Sequence, residues 1–177
     1  MPRLFFCSVA LCCLVSLPVR PQQDNPARRF LGAWRMVSVT GQPPGLPGFY
    51  DHPTGLLIYD SSGWMSVQIA NHGNRQPWAR NGNGATAMRR ERTPEQKAAA
   101  FDEYFAYYGT YTIDAKTRTI THHLEDANAP GSRGVENLRY YEFQGDNRVL
   151  LMVAEDGKGG LIPREATTLK ILWERVR

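Results

Sequence analysis

From Leu31 onward, apolar and polar residues alternate with a period of two, the spacing of strands that bury one face and leave the other wet. Met65, Val67 and Ile69 fall on one side of such a run, and Ser66 and Gln68 fall on the other. The pattern predicts strands near 31–40, 56–59, 64–69, 110–113, 119–124, 137–143, 148–153 and 168–176. Asp60-Ser61-Ser62-Gly63, Asp114-Ala115-Lys116-Thr117 and Gln144-Gly145-Asp146-Asn147 separate neighbouring runs as turns, with Gly63 placed where a positive φ is needed. Gly41-Gln42-Pro43-Pro44-Gly45-Leu46-Pro47-Gly48 breaks all regular structure and reads as a long loop. Gly157-Lys158-Gly159-Gly160 reads as a flexible turn.

One stretch suggests a different period. Thr93-Pro94-Glu95-Gln96 has the form of a helix start, with Thr93 as N-cap, Pro94 at the first position and Gln96 closing a capping box. Phe101, Phe105 and Tyr108 follow at i, i+4 and i+7, flanked by Ala98 and Tyr104, so the helix is expected to reach Gly109 and bury an aromatic stripe. Before it, Asn71 to Arg92 is rich in Asn, Gly and Arg and reads as an irregular excursion. Eight strands in sequence order, with one helix after the third, predict an all-β fold: an eight-stranded antiparallel up-and-down barrel. Eight is also a strand number at which a barrel can hold one small ligand. Gly32 allows a tight bend at the head of the first strand, and Trp34 can then plug one end.

Length and composition fit one domain, since 177 residues with 42% hydrophobic content can bury a full core. Met1-Pro2-Arg3 and the apolar run Leu4 to Val19 have the layout of a secretory signal peptide, giving residues 1–23 as signal, 24–29 as linker and 30–177 as the barrel domain. The expected location is secreted or periplasmic, with no membrane association after cleavage. No A-x-A-like pair precedes Arg20, which leaves an uncleaved anchor as the alternative. Cys7, Cys12 and Cys13 all lie in the apolar run, so the exported part is expected to have no disulfide. Without Arg3 and Arg20 there are 19 basic residues against 17 acidic ones, a balance that makes no case for nucleic acid. Arg75, Arg80, Arg89, Arg90 and Arg92 cluster among Asn and Gly, as a solvated loop or a lid that meets anions.

Gly32-Ala33-Trp34 on the first strand and Arg175 on the last resemble the G-x-W and terminal arginine of lipocalins. The closer resemblance is to a microbial lipocalin-like domain family. It rests on Pro53-Thr54-Gly55 with Ile58-Tyr59-Asp60, on Gly63 to Gln68, on Tyr104 to Tyr111 and on Thr121-His122-His123, and it spans Leu31 to Val176. A Thr-Asp-Tyr motif and a C-terminal helix, both usual in transport lipocalins, are missing. The resemblance implies a barrel with an internal cavity, in a family where most members have no assigned activity and some are tied to natural-product pathways.

The candidate chemistry gathers on the strand faces. Ile120 and Leu124 share the face of His122, which places His122 inside and His123 outside, too far apart in direction to share a metal. Tyr111 and Tyr141 fall on strands near His122, and Arg139 shares the face of Tyr141. If that face is the inner one, Arg139 must meet an anion; alternation alone does not decide between the faces. The expected lining is Trp34, Tyr59, Met65, Val67, Phe105, Tyr108, Tyr111, His122, Arg139, Tyr141 and Trp173. No G-x-S-x-G elbow or phosphate loop is present, and neither a metal nor a cofactor is expected. The leading expectation is an exported barrel that binds a small, mostly hydrophobic molecule. The alternatives are a cofactor-free isomerase, cyclase or lyase with His122 as acid or base, and a filled barrel offering only its outer surface.

Overall fold

The computed structural model describes residues 25–41, 52–72, 92–156 and 160–177. Eight strands, β1 (Gly32–Thr40), β2 (Thr54–Tyr59), β3 (Trp64–Ala70), β4 (Tyr104–Asp114), β5 (Thr119–Ala127), β6 (Glu136–Gln144), β7 (Arg148–Val153) and β8 (Lys170–Arg175), close into one barrel. Each strand pairs antiparallel with the next, and β8 returns to β1 with Trp34 opposite Arg175. The alternation read from the sequence has its physical counterpart here: Met65, Val67 and Ile69 are buried inside while Gln68 is exposed. Gly63 takes φ 91° in the β2–β3 turn, a conformation that costs glycine little.

The two ends of the barrel differ. At one end the connections are the tight turns after β2, β4 and β6, and the chain arrives there through a short helix, α1 (Pro26–Phe30). Most of this helix lies in the stretch 24–29 expected as a linker: Asn25 caps it by accepting from the Ala27 amide at 3.0 Å, and Pro26 opens it. Phe30 is fully buried, with its ring 5.2 Å from Tyr59, 5.0 Å from Tyr141 and 4.9 Å from Phe143. The Trp34 indole N–H donates to the Phe30 carbonyl at 2.7 Å. The Arg175 guanidinium lies 4.2 Å over the Trp34 ring and donates to the carbonyls of Arg29 and Leu31. A desolvated cation–π contact of this kind contributes about 2 kcal/mol. Gly32 has φ 112°, and a Cβ there would stand 3.2 Å from the same guanidinium. This end is sealed.

The longer connections, after β1, β3, β5 and β7, all lie at the other end. The second helix, α2 (Pro94–Asp102), belongs to the β3–β4 connection and has the predicted capping box: Thr93 Oγ1 accepts from the Gln96 amide at 3.2 Å, and Gln96 Oε1 accepts from the Thr93 amide at 3.1 Å. The expected aromatic stripe is not on it. The helix ends at Asp102, Phe101 is exposed, and Phe105 and Tyr108 belong to β4. A run of Tyr and Phe is better suited to a pleated surface, and pairing with β3 along Tyr104 to Thr110 gives that run a full ladder. Gly109 is thus a strand residue at a bulge against β5, where a Cβ would lie 1.9 Å from the His123 carbonyl oxygen. No described helix is long and apolar enough to cross a membrane. The signal-like segment 1–23, the bulk of the Asn71–Arg92 excursion, most of the Gly41–Gly48 loop and Gly157 to Gly159 lie outside the described residues.

Candidate functional site

The inner wall is unevenly filled. Trp34, Leu57, Tyr59, Ile120, Val149 and Trp173 are all under 2% exposed and belong to one core cluster with Phe30, and His122 is buried with them. Around that cluster the inner face carries side chains that are only half-buried: Met36, Phe105, Ala127 and Ile171 pack against it, and Asn137 and Arg139 continue the inward face of β6 beside Tyr141. Each of these residues keeps part of its surface in contact with water. The packed cluster keeps almost none.

His122 is the centre of the polar arrangement. Its Nε2 lies 2.7 Å from the Tyr59 hydroxyl and its Nδ1 lies 2.7 Å from the Tyr107 hydroxyl, all three side chains being buried. Burial, reinforced by the charge of Arg139 and then by His123, pushes the His122 pKa down to about 3, so the ring is neutral at ordinary pH. Burial likewise raises both phenols: Tyr59 well above its ordinary value, where Tyr107 adds to the shift, and Tyr107 to a lesser degree, where Arg139 and Asn137 oppose it. A neutral imidazole has one N–H and one bare nitrogen, so one tyrosine accepts from it and the other donates to it. Three hydrogens thus serve two bonds. One phenolic O–H lies beyond those two bonds, and the Asn137 side chain also hydrogen-bonds Tyr107.

Two further donors face the same interior. The Trp173 indole N–H is buried with no hydrogen-bond partner. Arg139 lies opposite Ile120 on β5 and Val153 on β7, and its Nη1 donates to the Leu138 carbonyl at 2.8 Å. Among the described residues no carboxylate pairs with this guanidinium, and Glu155 is turned to the Leu138 amide, accepting at 2.8 Å. The interior is donor-rich.

Of the residues predicted to line a site, the structure places Trp34, Tyr59, Met65, Val67, His122, Tyr141 and Trp173 in the packed interior, and Phe105 and Arg139 on its half-buried margin. Tyr111 faces inward at the sealed end, where its hydroxyl donates to the Asp60 carbonyl at 3.0 Å. Tyr108 is corrected: it points outward, is 48% exposed, and lies nearly parallel to the Trp64 ring at 6.5 Å. His123 is on the outer face between Thr112 Oγ1 and Glu136, each at 2.9 Å. Tyr107 and Asn137 were not predicted. Reading Tyr104 to Tyr111 by a period of two would have found Tyr107, on the inward face it shares with Phe105 and Tyr111. The proton-moving role considered for His122 meets a ring whose two nitrogens are both occupied by tyrosines.

A closed antiparallel barrel of eight sequential strands, plugged at one end by a Trp–Arg pair, defines a lipocalin-type fold. The chain matches the family described as Lipocalin-like domain over residues 31–176, and it belongs to that family. Among solved structures it is similar to a redesigned β-barrel, with 9% identity and a TM-score of 0.42, covering 85% of this chain and 95% of that one. It is also similar to the fluorescent protein UnaG, with 12% identity and a TM-score of 0.37, covering 85% of this chain and 99% of that one. Among curated proteins none matches the chain.

Proposed function

We propose that this protein is an exported barrel that holds a small, mostly hydrophobic molecule in the open half of its interior. The observation that carries the reading is the contrast between the two ends. One is closed by α1, Trp34 and Arg175, while Met36, Phe105, Asn137, Arg139 and Ile171 leave inward-facing surface half-buried. Such a wall, mostly apolar with a few placed polar groups, is the ordinary lining of a small-molecule site. Export is supported by the basic start and apolar run of the first residues.

The test is titration of purified protein with a neutral environment-sensitive fluorophore such as N-phenyl-1-naphthylamine, read by dye enhancement and by quenching of tryptophan emission. Saturable, displaceable binding is expected, because Trp173 forms part of the inner wall. Absence of saturable binding overturns the reading. For export, the intact mass of protein recovered from the producing cells is expected to match a chain beginning near residues 22–25; a full-length mass in the soluble fraction refutes it.

A further inference from the structure

We propose that the molecule held in the barrel carries a carboxylate, and that Arg139, with the Tyr107 hydroxyl near it, receives that group. The inference rests on the binding reading above and adds the chemical class of the ligand.

The placement of Arg139 comes from strand geometry. Tyr141 and Phe143, two and four residues further along β6, contact Phe30 in the core, so Arg139 lies on the same inward face, and its charge acts on Tyr59, Tyr107 and His122 together. Its cross-strand neighbours are the apolar Ile120 and Val153. A guanidinium has five N–H donors, and the protein engages this one through a single bond to the Leu138 carbonyl. Among the described residues the other inward-facing arginine, Arg175, is spent on backbone carbonyls at the sealed end. Arg139 is therefore a half-buried cation that makes no ion pair among the described residues, the nearby Glu155 carboxylate being turned to the Leu138 amide.

The adjoining relay points to an acceptor as well. His122 is held neutral and adds no competing charge, and the Tyr59–His122–Tyr107 chain has one hydroxyl hydrogen beyond its two internal bonds, beside the Asn137 amide that also meets Tyr107. Tyr107 is the less deeply buried of the two phenols, 5% exposed against 1% for Tyr59, and it is the one a ligand reaches first. A planar monoanion with two oxygens satisfies a forked guanidinium and leaves a lone pair for the phenol. A single inward cation suits one negative charge. A phosphate dianion would call for more.

The experiment compares cis-parinaric acid with its methyl ester, two probes with one hydrocarbon chain that differ in charge, by fluorescence titration at pH 7.5. Wild-type protein is expected to bind the acid about tenfold or more tightly than the ester, as a desolvated charge-assisted pair implies. Arg139→Gln is expected to remove that preference, and Arg139→Lys to restore part of it. Equal affinity of wild type for acid and ester, or a preference that survives in Arg139→Gln, overturns the carboxylate assignment and leaves the binding reading standing. Failure of both probes to bind overturns the two together. The wild-type comparison needs no variant to fold.

Discussion

Replacing His122 by Gln removes a titrating group from the centre of the barrel while keeping one donor and one acceptor between Tyr59 and Tyr107. In the folded protein the His122 pKa is about 3, whereas in the unfolded chain it returns to about 6.5. The folded value is the lower one, so the unfolded state binds the proton first. The stability that neutral His122 contributes is therefore complete above pH 6.5 and is lost as pH falls towards 3. At pH 5 the loss is about 1.5 pH units below the unfolded pKa, or about 2 kcal/mol. Urea denaturation between pH 7.5 and pH 4.5 measures it. Contributions of other titrating groups are common to both proteins and cancel in the difference. The wild-type curve is expected to fall more steeply than that of His122→Gln, so that the gap between them changes by about 2 kcal/mol from pH 7.5 to pH 5. Parallel curves would show that the imidazole keeps an ordinary affinity for protons, and the relay as described would be refuted.

Three other substitutions probe the scaffold. Trp34→Ala empties the fully buried plug, removing the donor to the Phe30 carbonyl and the ring under Arg175, and should cost about 3–5 kcal/mol in chemical denaturation. Gly109→Ala forces a Cβ against the His123 carbonyl at the β4–β5 bulge; its midpoint in urea should drop more than that of Gly131→Ala, where φ 85° costs the backbone but the Cβ meets nothing within 4 Å. Tyr108→Ser changes only the outer face beside Trp64, so dye affinity for the interior should stay within about twofold and stability should fall by less than about 1 kcal/mol, both read on one preparation. A marked loss of dye binding in Tyr108→Ser would return that residue to the interior.

Turn chemistry and alternation carried most of the fold. Asp60-Ser61-Ser62-Gly63 is legible because Asp60 Oδ1 accepts from the Ser62 amide at 2.8 Å and Gly63 supplies the positive φ, two local devices that do not depend on the rest of the chain. His122 and His123 separated correctly onto opposite faces because Ile120 and Leu124 leave no doubt which side is apolar. The segment around Tyr104 was misread because its residues satisfy both periods: Phe101, Phe105 and Tyr108 make a helical stripe, and Phe105, Tyr107 and Tyr111 make a strand face. The ladder with β3 decides, and that is a tertiary fact. Arg139 could not be assigned a face from sequence for a different reason. The outer side of β6 is also half-covered, with Arg164 lying 4.8 Å over the Tyr140 ring and donating to the Tyr141 carbonyl, so Leu138 and Tyr140 look as apolar as an inward pair. The helix at Pro26 is too short for periodicity, although Asn25-Pro26 is a capping pair that could have marked it.

The sealed half and the open half of the barrel use their polar groups in opposite ways. Around Trp34 the charged and polar atoms are spent: Arg175 on two carbonyls, the indole on a third, Tyr111 on the Asp60 carbonyl. Toward the open half the count runs the other way, with Arg139 engaged once and the Trp173 N–H without a partner among the described residues. Donors left unmatched in an interior cost stability unless something brought from outside accepts from them. A wall needed only for folding would replace them with apolar side chains of equal volume. A binding wall keeps them, because a ligand lacking the matching acceptors must bury them unpaired and is rejected by that cost. The histidine fits this division. Fixed between two phenols and neutral across the usual range of pH, it is a positioning group that aims a hydroxyl, and the selective charge beside it belongs to Arg139.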